Sequence, residues 1–532
     1  MAGTTPGTPG LLRALNDRAA LDLLLAHGPL SRTRLGRLTG LSKPTASQLL
    51  GRLQAAGLVV AAGTAGGRPG PSALLYGINP RAAHVAGLDV TPGRILAAVA
   101  DLTGTVTGRY ELPSGEGAGL AGTVERVLAA LDGAAADAGL TRCDLHRAVI
   151  ATPGSFDPNT GLLRYAEHLP GWHSPGLLEE LAEALPMPVA YENDVNLAAL
   201  AEQRLGAARG HADFVLLWNE EGLGAALVLG GRLHRGWTGG AGEVGFLPVP
   251  GHPLVRQVAR VNSGGYQALA GAQAVAALAA ALGIEPPEPL PAPTPPPGGT
   301  PSAAPPGAKA RRSRAPAATQ AAAPPAAAPA APAGPQDPAP PGALPAAAPA
   351  DAVGPQVPAP PAAPPAAAAP GPARAQVDVA VALLRRAAAR PEGAYLRLLR
   401  GYATALATGL ASLVSVLDPE LVVLAGAVTE AGGDVLRALV ESELADLAPS
   451  RPRLVSGAVR ERPVLRGALE SALAATRDEV FDTSRPRTPD RLRRRPSRES
   501  DIPGPSPSPG PSPSPSPTVS PSPAGIPSPA GD

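Results

Sequence analysis

Residues 188–202 read PVAYENDVNLAALAE, in which an Asn–Asp pair, Asn193 and Asp194, precedes a run rich in leucine and alanine. Pairs of this kind often form a turn or cap a helix. The same two side chains also bring hydrogen-bond acceptors together, and a carboxylate can accept a hydrogen bond from a hydroxyl group or take its proton as a base. The stretch therefore has two open interpretations, a structural cap and a binding site for a hydroxyl-rich ligand.

Around this stretch, short apolar runs are mixed with a helical pattern. Residues 84–90 and 95–101 are apolar runs joined by a Thr-Pro-Gly-Arg turn, and residues 105–112 are predicted to form a third strand. A helix is predicted from about residue 120 to 138, and a buried strand follows at 147–152. Strands and helices mixed at this spacing predict an α/β domain.

The N-terminal segment is basic. Residues 11–71 carry the acidic side chains Asp17 and Asp22, and no acidic residue occurs between positions 23 and 88. The basic side chains of this segment are Arg13, Arg18, Arg32, Arg34, Arg37, Lys43, Arg52 and Arg68. A local excess of positive charge is typical of a surface that faces phosphates, although a solvated basic face has the same pattern.

Apolar spacing in this segment predicts three short helices. The apolar positions are Ala19, Leu21, Leu24 and Leu25 in the first helix, Leu35 and Leu38 in the second, and Ala46, Leu49, Leu50 and Leu53 in the third. Ser31 and Ser42 stand at N-cap positions, Gly40 lies in the break before the third helix, and Pro44 falls in its first turn. This order predicts a helix-turn-helix, and a strand and Gly-rich loop after Gly57 predict a wing.

In such a module the start of the second motif helix enters the major groove of DNA. We expect long basic side chains to contact phosphates and short polar ones to contact base edges or the DNA backbone. The candidate DNA-binding residues are Arg32, Ser42, Lys43, Thr45, Ser47, Gln48, Arg52 and, as the charge of the wing, Arg68.

Composition sets the predicted domain limits. The chain has 532 residues with 68 prolines, and the prolines concentrate in residues 286–376 and 483–532. We therefore predict an all-α winged helix at 11–78 and an α/β domain at 82–482. A disordered Pro/Ala-rich insert at 286–376 would interrupt the second domain, and a disordered tail, first basic and then Ser/Pro-rich, would follow at 483–532.

Cysteine content and apolar runs exclude some classes of protein. The single cysteine, Cys143, excludes an intrachain disulfide framework and a multi-cysteine metal site. The N-terminus has no basic start followed by an apolar stretch, and no apolar run reaches about 18 residues. The net charge of +1 says nothing about partners, because a global sum hides local asymmetry. We expect a soluble, cytoplasmic protein without a membrane partner.

Several motifs occur in an order that resembles the ROK family, which is named for repressors, open reading frames and sugar kinases. They are PGSFDPNTG (153–161), LPGW (169–172), PVAYENDVNLAALAE (188–202), GLGAALVLGGRLHRG (222–236), GGAGEVGF (239–246) and DPELVVLAGAV (418–428). The N-terminal module resembles the winged helix of the family's repressor branch. The resemblance implies an actin-like, ribonuclease-H-like fold of two lobes with a sugar in the cleft.

The resemblance also implies roles for single residues. Asp194 matches the family's catalytic base, which takes the proton from a sugar hydroxyl before phosphoryl transfer, and Asn193 and Glu243 match ligands of sugar hydroxyls. Gln267 takes the place of a sugar-binding glutamate. Compared with a glutamate carboxylate, the glutamine amide keeps an acceptor oxygen and adds N–H donors. Sugar binding can therefore persist with an altered specificity.

The phosphate loops of the family's kinases are degenerate here. Residues 89–94, DVTPGR, match the first loop and retain Asp89. Residues 219–224, NEEGLG, match the second loop and place Glu220 and Glu221 where two carboxylates would repel a polyphosphate. Residues 425–427, AGA, replace the Gly-Gly motif on the adenosine side. We therefore expect no ATP cofactor.

The zinc site of the family is also missing from the sequence. Phe246 stands at the position of its histidine, and Val258, Arg260 and Gly265 match its cysteines. These side chains cannot make a tetrahedral zinc site. We therefore expect no metal cofactor.

A retained sugar site beside lost phosphate loops favours a sensor over an enzyme. The leading hypothesis is a sugar-responsive, DNA-binding regulator of carbohydrate metabolism genes, and repression is the habit of the family. A homodimer or higher homo-oligomer would bind a double-stranded operator. One alternative is an ATP-dependent ROK sugar kinase with a fused DNA-binding domain. Another is a ligand-orphan DNA-binding regulator whose cleft is a relic, which Phe246 and Gln267 favour.

Overall fold

The structure is a computed structural model that describes residues 9–65, 73–113, 122–164, 169, 171–174, 176–254, 264–286 and 372–484. These residues form a winged helix and two lobes, each lobe built on a five-stranded sheet. Across the described residues, every helix is too short or too polar to span a bilayer.

The winged helix consists of α1 (Pro9–His27), β1 (Leu30–Ser31), α2 (Arg32–Thr39), α3 (Lys43–Ala55), β2 (Val59–Ala65) and β3 (Ala73–Ile78). Strand β3 pairs antiparallel with both β1 and β2. The three predicted helices are confirmed. The predicted wing loop joins β2 to β3, and its residues 66–72, with Arg68, lie outside the described residues.

Local capping explains where these helices begin and end. The Ser31 and Ser42 hydroxyls accept hydrogen bonds from backbone N–H groups three residues later, at 3.3 and 3.4 Å. Gly40 ends α2 with a φ of 70°, which glycine adopts without strain. Two predicted core positions are wrong, because Ala19 and Leu38 are exposed, and Ala20 is buried in place of its neighbour Ala19.

The first lobe holds the strands predicted around residues 84–152. Its elements are β4 (His84–Thr91), β5 (Arg94–Asp101), β6 (Val106–Pro113), α4 (Thr123–Asp137), β7 (Arg147–Thr152), β8 (Ser155–Phe156), β9 (Leu163–Arg164), α5 (Leu177–Ala184) and β10 (Val189–Asn193). The strand order of the main sheet is β10-β7-β4-β5-β6, and β8 pairs with β9 in a separate ribbon. Strands β10 and β7 run parallel to β4, whereas β5 and β6 form antiparallel pairs.

The second lobe repeats this arrangement. After α6 (Asp194–Leu205) come β11 (Phe214–Asn219), β12 (Leu223–Leu229), β13 (Arg232–Leu233), α7 (Gly265–Ala270), α8 (Ala272–Ala281), α9 (Pro372–Ala389), α10 (Gly393–Leu417), β14 (Leu421–Ala425), α11 (Ala427–Leu447), β15 (Arg453–Ser456) and α12 (Pro463–Val480). The strand order is β13-β12-β11-β14-β15, in which β14 and β15 run parallel to β11, β12 pairs antiparallel with β11, and β13 pairs antiparallel with β12. Two sheets with the same order and directions confirm the predicted actin-like, two-lobed fold.

Helices α6 and α12 pack between the two sheets. Their apolar side chains share one buried cluster with strands of both lobes. The helices approach so closely that a Cβ atom at Gly467 of α12 would overlap the Leu197 carbonyl oxygen of α6. Just beyond α12, Phe481 is buried in the core of the winged helix beside Leu21 and Leu53. Helix α12 and the residues just after it therefore contact both lobes and the winged helix.

The structure corrects two predicted boundaries. The insert was predicted to extend to residue 376, but α9 begins at Pro372, a residue that is favoured in the first turn of a helix, and continues through an alanine-rich run. The tail was predicted from residue 483, but Thr483 and Ser484 are described and hydrogen-bonded. The rest of both segments, 287–371 and 485–532, lies outside the described residues.

Candidate functional site

The Asn–Asp pair lies at the point where β10 ends and α6 begins. Asn193 caps α6, because its Oδ1 accepts a hydrogen bond from the Asn196 N–H at 3.0 Å. Its Nδ2 donates to the Gly154 carbonyl oxygen at 3.0 Å. Asp194 is the first residue of α6, and its Oδ1 accepts from the Val195 N–H at 2.8 Å. Asn193 therefore caps α6, and the Val195 N–H orients the Asp194 carboxyl.

Three further carboxyl groups lie close to Asp194. They come from Asp89 on β4, Glu220 after β11 and Glu243 in the loop after β13. The pKa of Asp194 is raised to about 8, mainly by burial, and the charges of Asp89, Glu243 and Glu220 contribute to this rise. Burial likewise raises the pKa of Asp89 and of Glu243 to about 6 each, and it raises the pKa of Glu220. The two lobes thus present a cluster of partly protonated acceptors and donors, which suits a polyol.

This shifted pKa predicts how stability depends on pH. The pKa of the Asp194 carboxyl is about 8 in the folded chain against an ordinary value of 3.8, so the folded chain binds the proton more tightly. Protonation of Asp194 therefore contributes to the free energy of unfolding, and this contribution is fully present below pH 3.8 and is lost as the pH rises toward 8. We expect the free energy of unfolding of the wild type to fall, relative to Asp194→Asn, across this range. Denaturant unfolding at several pH values checks this, and a difference that does not change with pH would contradict it.

Glu243 and Gln267 have different surroundings. Glu243 Oε1 accepts a hydrogen bond from the Ser155 hydroxyl at 3.3 Å, so this contact joins the two lobes. Gln267 is buried, its Oε1 accepts from the Leu223 N–H at 2.7 Å, and its Nε2 donates to Gln273 Oε1 at 3.4 Å. Both ends of the Gln267 amide are therefore engaged by the protein, and its predicted sugar contact stays a prediction.

Glu220 occupies the region that the resemblance assigns to ATP phosphates. Its carboxylate accepts a hydrogen bond from the backbone of Ala427, at the N-terminus of α11. A helix N-terminus favours a negative charge, so this carboxylate sits where a phosphate would be stabilised. Gly426 permits the close approach, since it has a φ of 91° and a Cβ atom there would lie 2.5 Å from the Asn219 carbonyl oxygen. The neighbouring Glu221 is exposed.

The residues that replace the zinc ligands are described only in part. Phe246 is partly buried in a short 3₁₀ helix (Val244–Phe246), and Gly265 is buried at the start of α7. Val258 and Arg260 lie outside the described residues. Within the described ranges, no group of three or more His, Cys, Asp or Glu side chains is placed to hold a metal ion.

Helix α3 presents most of the candidate DNA contacts. Arg32, Ser42, Lys43, Thr45 and Gln48 are exposed, whereas Ser47 is half-buried. The Ser42 and Thr45 hydroxyls lie 2.8 Å apart, so they bond each other. Arg32 Nη1 donates to Ser47 Oγ at 3.0 Å, and that hydroxyl donates to the Lys43 carbonyl oxygen at 2.9 Å. These contacts order the start of α3, the part predicted to enter the major groove.

Arg52 has a structural partner that sequence reasoning missed. Its Nη2 lies 2.7 Å from Oδ1 of Asp17, a carboxylate on α1 that is only 4% exposed. A buried carboxylate that loses its cation is strongly destabilised. Arg52 is thus needed by the fold of the winged helix, whatever it contributes to DNA.

Lys43 and Arg52 should respond differently to replacement by alanine. Lys43 is exposed and is the predicted phosphate contact at the start of α3, so Lys43→Ala should weaken DNA binding and lower the slope of log affinity against log salt by about one, with little effect on stability. Arg52→Ala should lower the free energy of unfolding by about 1–3 kcal/mol, because the buried Asp17 carboxylate loses its cation. Salt-dependent DNA binding and denaturant unfolding of both variants check this. Equal stability of the Arg52→Ala variant and the wild type would refute the structural role.

The sequence also gave no sign of the junction between the winged helix and α12. Arg18 Nη2 lies 2.8 Å from Asp478 Oδ1, and the Thr483 hydroxyl donates to Asp17 Oδ2 at 3.2 Å. Val480 and Phe481 complete the apolar core of the winged helix. These partners are more than 450 residues apart in the chain, and no local pattern connects them.

Comparison with known proteins agrees with this architecture. Residues 85–279 match the ROK family, and residues 10–68 match the MarR family. The chain is 24% identical over 239 residues to the xylose repressor of Bacillus subtilis strain 168, which is 45% of this chain and 61% of the repressor. It is 30% identical over 163 residues to a glucokinase of Halalkalibacterium halodurans, which is 31% of this chain and 49% of that enzyme. The matched region thus spans about half to three fifths of these curated relatives.

A solved structure shares the fold over a longer stretch. It is the crystal structure of a ROK family transcriptional regulator described as a homologue of the E. coli MLC protein, with a TM-score of 0.55 and 17% identity. The similarity covers 88% of this chain and 97% of that one. Both the family matches and the duplicated sheets lead to one conclusion: the chain carries a ROK family domain behind an N-terminal winged helix of the MarR type.

Proposed function

We propose that this chain is a sugar-responsive, DNA-binding transcription regulator in which the kinase-like cleft is a sensor. The winged helix would bind a double-stranded operator through α3, and the cleft around Asp194 and Glu243 would bind a sugar. The protein would work without zinc or ATP. The repressor relatives support repression as the response.

The observation that carries this proposal is the path of α12. This helix packs against α6, whose first residue is Asp194, and it ends where Phe481 enters the winged-helix core. A ligand that prefers one arrangement of the lobes would therefore move the surface on which the winged helix rests. Such a preference is what couples two binding sites thermodynamically.

The proposed assembly is a symmetric homodimer. Two winged helices related by a twofold axis would meet an inverted-repeat operator, with half-sites one or more helical turns apart. A change in the spacing of the two α3 helices would then change operator affinity.

The test starts from DNA selected from a random pool by the full chain. Candidate sugars are titrated into the complex while operator affinity is measured at fixed salt. We expect one class of sugar to change operator affinity at least tenfold, corresponding to a coupling of about 1.4 kcal/mol. DNA binding that ignores every sugar would contradict the sensor and favour a regulator whose cleft is a relic.

A sugar kinase with a fused winged helix is the second candidate function. The raised pKa of Asp194, about 8, suits a general base near neutral pH, and a glucokinase is among the relatives. Glu220 argues against a kinase. Its carboxylate accepts a hydrogen bond from Ala427 at the N-terminus of α11, the place where a nucleotide phosphate would bind. Sugar-dependent release of ADP from ATP would establish the kinase, and its absence with a sugar that changes operator affinity would exclude it.

A further inference from the structure

Trp237 is unlike the other two tryptophans of the chain. Its side chain is 83% exposed, whereas Trp172 and Trp218 are 5% and 9% exposed. A single exposed aliphatic residue needs no explanation, but an indole left in water is a large apolar surface that is usually kept for a contact.

The loop that carries Trp237 is held in place from two sides. The Asn159 Nδ2 donates to the Trp237 carbonyl oxygen at 3.0 Å, and Arg235 Nε donates to Glu192 Oε2 at 2.7 Å. Within the loop, the Ala241 N–H donates to the Arg235 carbonyl oxygen at 3.1 Å. Gly239 packs against the first lobe, where a Cβ atom would lie 2.5 Å from the Phe156 carbonyl oxygen. The exposed indole therefore projects from an anchored loop.

The same loop borders the cleft at both of its ends. Glu192, the partner of Arg235, directly precedes Asn193 and Asp194, and its Oε1 accepts from Asn196 Nδ2 at 2.9 Å. At its other end the loop leads into Glu243, which is bonded to Ser155 of the first lobe. Trp237 thus stands at the rim of the proposed sugar site.

We propose that Trp237 is an aromatic platform for a second sugar ring, so that the ligand is a disaccharide or longer oligosaccharide. This inference rests on the proposed function and names its ligand class. A pyranose ring has an apolar face of C–H groups and a rim of hydroxyls, and the negative face of an indole attracts such C–H groups. The first ring lies among the carboxyl groups at Asp194 and Glu243, and the second lies on Trp237, with Asn159 and Arg235 beside its hydroxyls.

The experiment compares each monosaccharide with its β1,4-linked disaccharide, using glucose and cellobiose, xylose and xylobiose, and N-acetylglucosamine and chitobiose. In the full chain, one disaccharide should bind at least tenfold more tightly than its monosaccharide. Bound disaccharide should also reduce the quenching of tryptophan fluorescence by iodide, because Trp237 is the accessible indole among the described residues. Trp237→Ala should lose about tenfold in disaccharide affinity and keep monosaccharide affinity within about twofold. Trp237→Phe should retain most of the gain. Val416→Ala, at a residue that is 82% exposed on α10, is the matched control and should change neither affinity.

Each other outcome overturns the inference in a recognisable way. If a monosaccharide binds through Asp194 and the disaccharide gains nothing, the platform is wrong and the proposed function stands. If no sugar binds at all, the proposed function fails and the platform with it. If Trp237→Ala instead changes the molecular mass of the protein in solution, the indole serves self-association.

Discussion

Replacement of Asp194 by asparagine should weaken sugar binding about ten- to hundredfold, or about 1.4–2.8 kcal/mol, and leave operator affinity without sugar within about twofold. The reason is the orientation of the side chain. Oδ1 accepts the Val195 N–H at 2.8 Å, so the amide of the variant would turn its oxygen to that N–H and present an NH₂ group to the ligand. That group cannot accept a hydrogen bond from a sugar hydroxyl.

Calorimetric titration of sugar and operator-binding curves with and without sugar measure this effect. Asp434→Asn makes the same chemical change on α11 at a side chain that is 90% exposed, so it should respond to sugar like the wild type. The wild type should also bind sugar more tightly as pH rises toward 8, because the Asp194 carboxyl becomes the better acceptor when it loses its proton. An Asp194→Asn variant with an unchanged sugar response would show that the cleft assignment is wrong.

Phe481→Ala should disconnect the cleft from the DNA-binding helices. Phe481 is completely buried between α12 and the winged helix, so its truncation should lower the free energy of unfolding by about 3–5 kcal/mol. Sugar affinity should stay within about twofold, since the residue lies outside the cleft. The change in operator affinity on adding sugar should fall from tenfold or more to less than about twofold.

A milder variant and a matched control keep this test decisive. Phe481→Leu retains an apolar side chain and should lose part of the coupling at a smaller cost in stability. Leu410→Ala removes a completely buried side chain from the second lobe, so it should destabilise the chain without changing the ratio of operator affinities. Thermal unfolding, sugar titration and operator binding are compared at a temperature where every variant is folded. Full sugar response in both Phe481 variants would mean that coupling does not pass through α12.

Much of the fold was predictable because its signals are local. The Ser31 and Ser42 caps act three residues away, and Gly40 ends its helix through its own φ. The strands at 84–91 and 94–101 follow from apolar runs on either side of a turn. Errors occurred where the pattern was ambiguous, as at Ala19, or where composition alone set a boundary, as at Pro372.

The candidate site was predictable to a smaller extent. Motif order pointed to Asn193, Asp194 and Glu243, and it placed Glu220 near the phosphate region. Motif order did not reveal the hydrogen bond of Glu220 to the start of α11 or the hydrogen bond from the Leu223 N–H to the Gln267 amide. It also did not reveal the ion pair between Arg52 and Asp17.

Amino-acid order is enough to specify helices, strands, caps and a basic α3 surface, because each depends on residues within a few positions of one another. Which charges meet depends on packing between distant segments. Asp89, Asp194, Glu220 and Glu243 share one site because two sheets close on α6 and α12, and burial there raises their pKa values. Arg18 and Asp478, 460 residues apart, meet because α12 ends in the winged-helix core. The packing path from α6 through α12 to the winged helix exists only in the folded chain.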